Sequence, residues 1–174
     1  MSSQVRPLGA YGSLILSWAL GGVTAILAFA ILRLSPRVAE AFALELSTSH
    51  YVFAVGFTLF MLYTEAWRGF HKKFSPRAVS RALHLSRHGR PMHCLLAPIF
   101  GMGYFHATKR RIIATWILTG FIVGFVLCLR LVDQPWRGLV DLGVVVGLSA
   151  GILTLYIEAW RIARGGEPVD PELP

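Results

Sequence analysis

Three acidic residues in apolar surroundings are the groups of this sequence best suited to bind a proton or a cation. Glu65 and Glu158 stand near the ends of two apolar segments, and Asp141 stands near the start of one. Acidic side chains inside a bilayer are rare and often line an ion path. The alternative interpretation is structural: Glu65 and Glu158 anchor helix ends, and Asp141 forms a clasp with Arg130 on the outer face.

Glu65 and Glu158 belong to a repeated sequence. Residues 62–68 read LYTEAWR and residues 155–161 read LYIEAWR, with six identities in seven positions. Tyr and Trp favour the membrane interface, Arg reaches the headgroups, and Glu can pair with the Arg three positions later. The repeat is therefore typical of an anchor. It also suggests two hairpins related by a parallel pseudo-repeat, in which the two glutamates would meet.

Histidines and a cysteine raise the question of a metal. His84 and His88 are four positions apart on a predicted helix, and His93 and Cys94 follow closely. Imidazole and thiolate are ligands of zinc, copper and haem iron. No standard ligand spacing is present, however, and neighbouring arginines would repel a cation. We therefore predict no cofactor and no enzymatic activity, and keep a metal or haem at these four residues as an alternative.

The elements that position these residues are apolar helices. Mean hydropathy is +0.58 and only 15% of residues are charged, which is typical of an integral membrane protein. Four segments, residues 10–32, 51–67, 112–132 and 138–160, predict transmembrane helices. The Ser35-Pro36 pair predicts an end to the first and the start of a short helix over 36–46. We expect one all-α membrane domain, residues 1–174, with a disordered tail over 162–174.

Residues 68–111, called the basic link below, join the second and third apolar segments. They contain ten of the seventeen Lys and Arg residues and no acidic residue. Within them, residues 76–88 predict a basic amphipathic helix in the interface, and the apolar residues 94–105 are too few to span. The predicted contacts with anionic lipid headgroups are Lys72, Lys73, Arg77, Arg81, Arg87, Arg90, Lys109, Arg110 and Arg111.

Basic residues also predict the orientation. Arg6, the basic link and Arg161 fall on one side if the chain crosses the membrane four times. Since Lys and Arg accumulate on the cytoplasmic side, we expect an inner-membrane protein with both termini in the cytoplasm. The net charge of +8 thereby reflects membrane orientation, and we expect no nucleic-acid partner.

Glycines recur at four-residue spacing in two of the apolar segments. Gly143, Gly147 and Gly151 form one stripe, and Gly120 and Gly124 form another. Small residues at this spacing let two helices approach closely within a bilayer. We expect the third and fourth segments to pack on each other through these stripes, or on another membrane protein or a second copy of the chain.

The first functional hypothesis is a non-catalytic accessory or scaffold subunit of a membrane complex, which binds anionic lipid through the basic link. The alternative is an oligomeric transporter or channel whose path is lined by Glu65, Glu158 and Asp141. A subunit bearing a metal or haem is the second alternative.

Overall fold

The computed structural model describes residues 9–88 and 91–173, and all regular secondary structure in these ranges is helical. The predicted all-α class is therefore confirmed. The elements in chain order are α1 (Ala10–Phe42), α2 (Thr48–Met61), a π-helix (Leu62–Phe74), α3 (Ser75–His88), α4 (Pro91–Leu95), α5 (Ala97–Met102), α6 (Lys109–Leu129) and α7 (Trp136–Ala163).

Three helices, α1, α6 and α7, are long and apolar enough to cross a membrane. The predicted span at residues 51–67 instead falls across α2, which has 14 residues, and the π-helix, which has 13. Neither element reaches the roughly 20 residues of a typical spanning α-helix. A fourth crossing therefore depends on α2 and the π-helix acting together.

The predicted break at Ser35-Pro36 is wrong, because α1 is one helix of 33 residues that contains Pro36. Pro36 removes one backbone hydrogen bond, the one to the carbonyl of Leu32, and long apolar helices tolerate such a single loss. Ser35 Oγ donates a hydrogen bond of 2.7 Å to the carbonyl of Ile31, one turn earlier. The basic residues beyond position 32 thus continue the first helix and do not form a separate one.

α1 and α7 run antiparallel, whereas α2 and the π-helix run along α7 in the same direction. Gln134, just before α7, donates to the carbonyl of Arg37 near the end of α1. At the start of α2, the His50 ring lies 4.6 Å from the Trp136 ring at the start of α7. α1 therefore runs in one direction, and α2, the π-helix and α7 run in the opposite direction. Such antiparallel neighbours are typical of an up-and-down helical bundle.

α3 has the predicted position but a different environment. Its apolar residues pack in the core against the first half of α1, against α5 and against Leu155 of α7. Arg81, on its predicted polar face, is 1% exposed. An amphipathic pattern is equally suited to a membrane surface and to a protein core. The prediction of a helix lying only on lipid is therefore wrong.

α6 stands apart from the other long helices. None of its residues is buried, and a Cβ atom on Gly120 or Gly124 would meet nothing within 4 Å among the described residues. A hydrogen bond of 2.7 Å between the hydroxyl groups of Tyr104 and Thr119 is one of its contacts with the rest of the chain. The predicted packing of the third segment on the fourth is therefore wrong.

The tail after α7 has no regular secondary structure, yet it contacts the basic link. The backbone N–H of Thr108 donates a hydrogen bond of 3.0 Å to the carbonyl of Glu172. The Glu172 side chain pairs with Arg77 as well. The predicted disorder of residues 162–174 does not fit these contacts, because the tail lies against α3 and the start of α6.

Candidate functional site

Side chains of α2 and the π-helix pack against the glycines of α7. A Cβ atom on Gly143 would lie 2.6 Å from the ring of Phe57, and one on Gly147 would lie 2.7 Å from Glu65 Oε2. Real Cβ atoms do not approach other atoms so closely, so a larger residue at either position would force the Phe57 ring or the Glu65 side chain to move. The predicted close approach at the α7 stripe is present, but its partner is the preceding helical path and not α6.

Further along the same interface, a Cβ atom on Gly151 would lie 2.8 Å from the ring of Phe70. The hydroxyl groups of Ser75 and Thr154 then share a hydrogen bond of 3.1 Å. The residues that face α7 are therefore five positions apart from Glu65 onward. That spacing matches the i→i+5 hydrogen bonding of a π-helix, which brings these side chains into one row.

Glu65 lies opposite the middle of α7 and not opposite either of its ends. Its carboxylate abuts Gly147, which by the rise of an α-helix is roughly 17 Å from the start of α7 and roughly 24 Å from its end. Glu65 Oε2 is buried and has no hydrogen-bond partner among the described residues. The interpretation of Glu65 as an edge anchor therefore does not fit its position.

Glu158, in the second copy of the repeat, pairs with the arginine three positions later. Its carboxylate receives two hydrogen bonds from Arg161, of 2.9 Å from Nε and 2.7 Å from Nη2. In the first copy, no ion pair joins Glu65 to Arg68 within the described residues. The difference follows from winding: positions three apart share a face in an α-helix but not in a π-helix.

The two glutamates do not meet. Glu65 abuts Gly147, and about 17 Å of helical rise separates Gly147 from Glu158 on α7. The predicted pseudo-axis contact between them is therefore wrong.

Asp141 occupies a third level of α7 and is 3% exposed. The cations that influence its carboxylate are Arg37 and Arg137. The predicted clasp with Arg130 is wrong, since no ion pair links those two residues in the described ranges. Asp141, Glu65 and Glu158 thus lie one after another along α7 and form no single cluster.

Arg81 forms hydrogen bonds with several separate parts of the chain. Its Nε donates to the carbonyl of Phe100 at 2.7 Å, and Nη1 donates to the carbonyl of Pro171 at 2.8 Å. Nη2 donates to the carbonyls of Phe105 and His106, both at 3.0 Å. The guanidinium carbon also lies 4.3 Å from the centre of the Phe100 ring. One side chain therefore joins α3, α5, the following loop and the tail.

The buried guanidinium remains charged at neutral pH. Burial, and then repulsion by Arg111, lowers the pKa of Arg81 to about 10, while the Glu172 carboxylate acts in the opposite direction. Four carbonyl oxygens around the cation replace water as its hydrogen-bond acceptors. The predicted role of Arg81 in binding lipid phosphate is therefore wrong, because its donors are occupied within the protein.

The other predicted lipid contacts that the structure describes divide into two groups, those that face an acidic residue and those with exposed side chains. Arg77 Nη2 lies 3.2 Å from Glu172 Oε1, and Arg111 Nε lies 4.0 Å from Glu172 Oε2, so an acidic residue of the tail already faces both. Arg90 and the N-terminal Arg6 lie outside the described residues. The predicted lipid contacts with exposed side chains are Lys72, Lys73, Arg87, Lys109 and Arg110.

The histidines contact one another in pairs. The rings of His84 and His88 are 5.2 Å apart, and those of His93 and His106 are 4.8 Å apart. Burial, and then the charges of His88, Arg81 and His106, lowers the pKa of His84. Among the described residues, no group of three or more His, Cys, Asp or Glu could hold a metal ion. Cys94, half-buried, therefore does not complete the predicted ligand set.

No protein family, curated protein or solved structure matched the chain when it was compared with each. The functional interpretation below therefore depends on the residues and their geometry.

Proposed function

We propose that the protein is a non-catalytic accessory or scaffold subunit of a membrane complex, and that it binds anionic lipid through the exposed cations of the basic link. The observation that supports this most directly is the group of exposed Lys and Arg side chains at one end of the bundle, without acidic residues in the link itself. Lys72 Nζ lies 5.3 Å from the centre of the Trp67 ring. Indole and ammonium groups side by side are suited to the headgroup region.

A second feature supports the role as a subunit. α6 is long enough to span, yet it has no buried residue in the isolated chain. Its Gly120 and Gly124 leave a smooth face on which another membrane helix could pack closely. We propose that this face contacts a partner protein, while the α7 glycines serve the internal contact with α2 and the π-helix.

The proposed topology has four crossings. α2 and the π-helix follow α7 from the level of Trp136 to the level of Thr154, a distance comparable with a span. The chain then alternates between two levels, and the basic link, the start of α1 and the end of α7 fall at one of them. Because that level carries most Lys and Arg, we propose that it is cytoplasmic in the inner membrane.

Thiol labelling tests this topology. With Cys94 and Cys128 replaced by serine, a membrane-impermeant maleimide applied to intact cells is expected to label Thr48→Cys, at the start of α2. Lys72→Cys is expected to react only after the membrane is permeabilised. Both native positions are exposed, so access depends on the side of the membrane. Labelling of both variants in intact cells would contradict four crossings, and labelling of Lys72→Cys alone would contradict the cytoplasmic position of the basic link.

Charge neutralisation tests lipid binding. The Lys72→Gln, Lys73→Gln double variant is expected to retain roughly 30-fold less phosphatidylglycerol, since each surface cation contributes about 1 kcal/mol. Native mass spectrometry of protein released from nanodiscs with mixed neutral and anionic lipid measures the retained lipid. The matched control, Arg33→Gln with Arg130→Gln, removes two exposed charges at the opposite level. Equal losses in both variants would refute a lipid site on the link.

Glu65 favours the alternative of transport. Its Oε2 atom is buried and unpaired among the described residues, opposite the middle of a long apolar helix, and acidic residues in such positions often belong to an ion or proton path. Asp141 and Glu158 lie at other levels of α7, so transport through all three would require intermediate groups. Flux into liposomes separates the two functions, because an accessory subunit alone moves no ion.

A further inference from the structure

We propose that the Glu65 carboxyl group is a proton-binding site inside the membrane, which holds its proton at neutral pH and exchanges it with the side of the basic link. This site is independent of the proposed lipid binding, which uses other residues. Its ligand is the proton, and its chemistry is reversible ionisation of one buried acid.

The surroundings of Glu65 suit the neutral acid. Its Oε2 is buried against Gly147, near the middle of a helix long and apolar enough to span. No Lys, Arg or His lies within ion-pair distance of it in the described ranges. An isolated ionised carboxylate in such surroundings is strongly disfavoured, so the group retains its proton instead.

The repeat provides an internal comparison. Glu158 has nearly the same sequence neighbours, but α-helical winding places Arg161 on its carboxylate with two hydrogen bonds. The π-helix removes the equivalent partner from Glu65 and turns its carboxyl group toward α7. π-helical segments frequently accompany functional sites. The same short sequence therefore produces an ionised anchor at one position and an unpaired acid at the other.

A route for the proton begins at the neighbouring residue. Thr64, Arg68, Gly69 and Lys73 line an open crevice of about 230 Å³ on the adjacent face of the π-helix. Arg68 and Lys73 are exposed at the end of the bundle that carries the basic link. Thr64 precedes Glu65 in the chain, so we propose that water entering this crevice exchanges the proton, and the exchange needs no other reactant.

An apolar carbodiimide tests the protonation state in native membranes. Dicyclohexylcarbodiimide adds to a carboxylic acid in lipid: the acid oxygen bonds to the central carbon, and the proton moves to a nitrogen. We expect peptide mass spectrometry to find the adduct on Glu65 at neutral pH, with a yield that falls as pH rises. Glu158, ionised beside Arg161, is expected to remain unlabelled. An adduct on Glu158 in preference to Glu65 would overturn the proposal.

Infrared spectroscopy supplies the second measurement. At neutral pH, the infrared spectrum of Glu65→Gln is expected to lack one carboxylic-acid carbonyl band that the wild-type spectrum contains. A lost carboxylate band in its place would show that Glu65 is ionised and would overturn the proposal. Glu158→Gln is the matched control, and it is expected to lose a carboxylate band. Carbodiimide labelling of the wild type keeps the proposal testable if Glu65→Gln does not fold.

Discussion

Replacing Arg81 with methionine is expected to lower the free energy of unfolding by at least about 3 kcal/mol. Methionine has a similar length and fits an apolar pocket, but it donates no hydrogen bond. The carbonyls of Phe100, Phe105, His106 and Pro171 then lose their shared donor. Each buried acceptor left unsatisfied costs about 1–3 kcal/mol. Unfolding of the purified protein in detergent, followed by circular dichroism, measures the change.

Two further variants separate the geometry of Arg81 from its charge. Arg81→Lys retains a cation but not the planar fork that reaches four carbonyls, so most of the destabilisation is expected to persist. Arg87→Met removes a cation from the exposed end of the same helix and is expected to change stability by less than about 0.5 kcal/mol. If Arg81→Met were no more destabilising than Arg87→Met, the four hydrogen bonds of Arg81 would have no structural role.

The basic link shows what a local pattern can and cannot predict. Ser75 and Pro76 predict the start of α3 within one residue, because N-terminal helix signals act locally. The environment of Arg81 depends on acceptors 19 to 90 residues away in the chain. No helical period encodes such contacts, so a basic amphipathic pattern alone assigned a buried arginine to the lipid surface.

Winding is the second feature that the sequence concealed. Residues 62–68 and 155–161 are nearly identical, yet the first copy is π-helical and the second is α-helical. A repeat read with one period predicts the same role for both glutamates. The five-residue spacing of Glu65, Phe70 and Ser75 indicates the π-helical winding. It can be recognised in the sequence only when α7 is already known to be the helix that these residues face.

The α7 glycines lie close to large side chains, but these side chains do not come from the third apolar segment. The third and fourth apolar segments are joined by a short turn, and neighbours in the chain usually pack together. The bulky side chains that fill the α7 stripe, Phe57 and Phe70, come from an earlier part of the chain. Small residues predict that another helix approaches closely, and the large side chains that fill the space determine which helix it is.

Substituting valine for Gly151 is therefore expected to disrupt the bundle, whereas the same change at Gly124 is not. A Cβ atom at position 151 would lie 2.8 Å from the Phe70 ring, and the added methyl groups would come closer still. Overpacking of this kind typically costs about 1–3 kcal/mol. A Cβ atom at position 124 would meet no described atom of another element within 4 Å. Unfolding of both variants in detergent measures the difference, and equal stability would contradict the observed interface.

A compensating change identifies the cause of the loss at Gly151. Phe70→Ala removes the ring that the valine would strike, so the Gly151→Val, Phe70→Ala double variant is expected to be more stable than the sum of the single changes predicts. Such coupling is typical of residues in contact and is small between distant residues with no shared partners. The pairing of Gly124→Val with Phe70→Ala is expected to be additive, since those residues lie on different surfaces. Additivity in the first pair would mean that Gly151→Val destabilises α7 itself and not its contact with the π-helix.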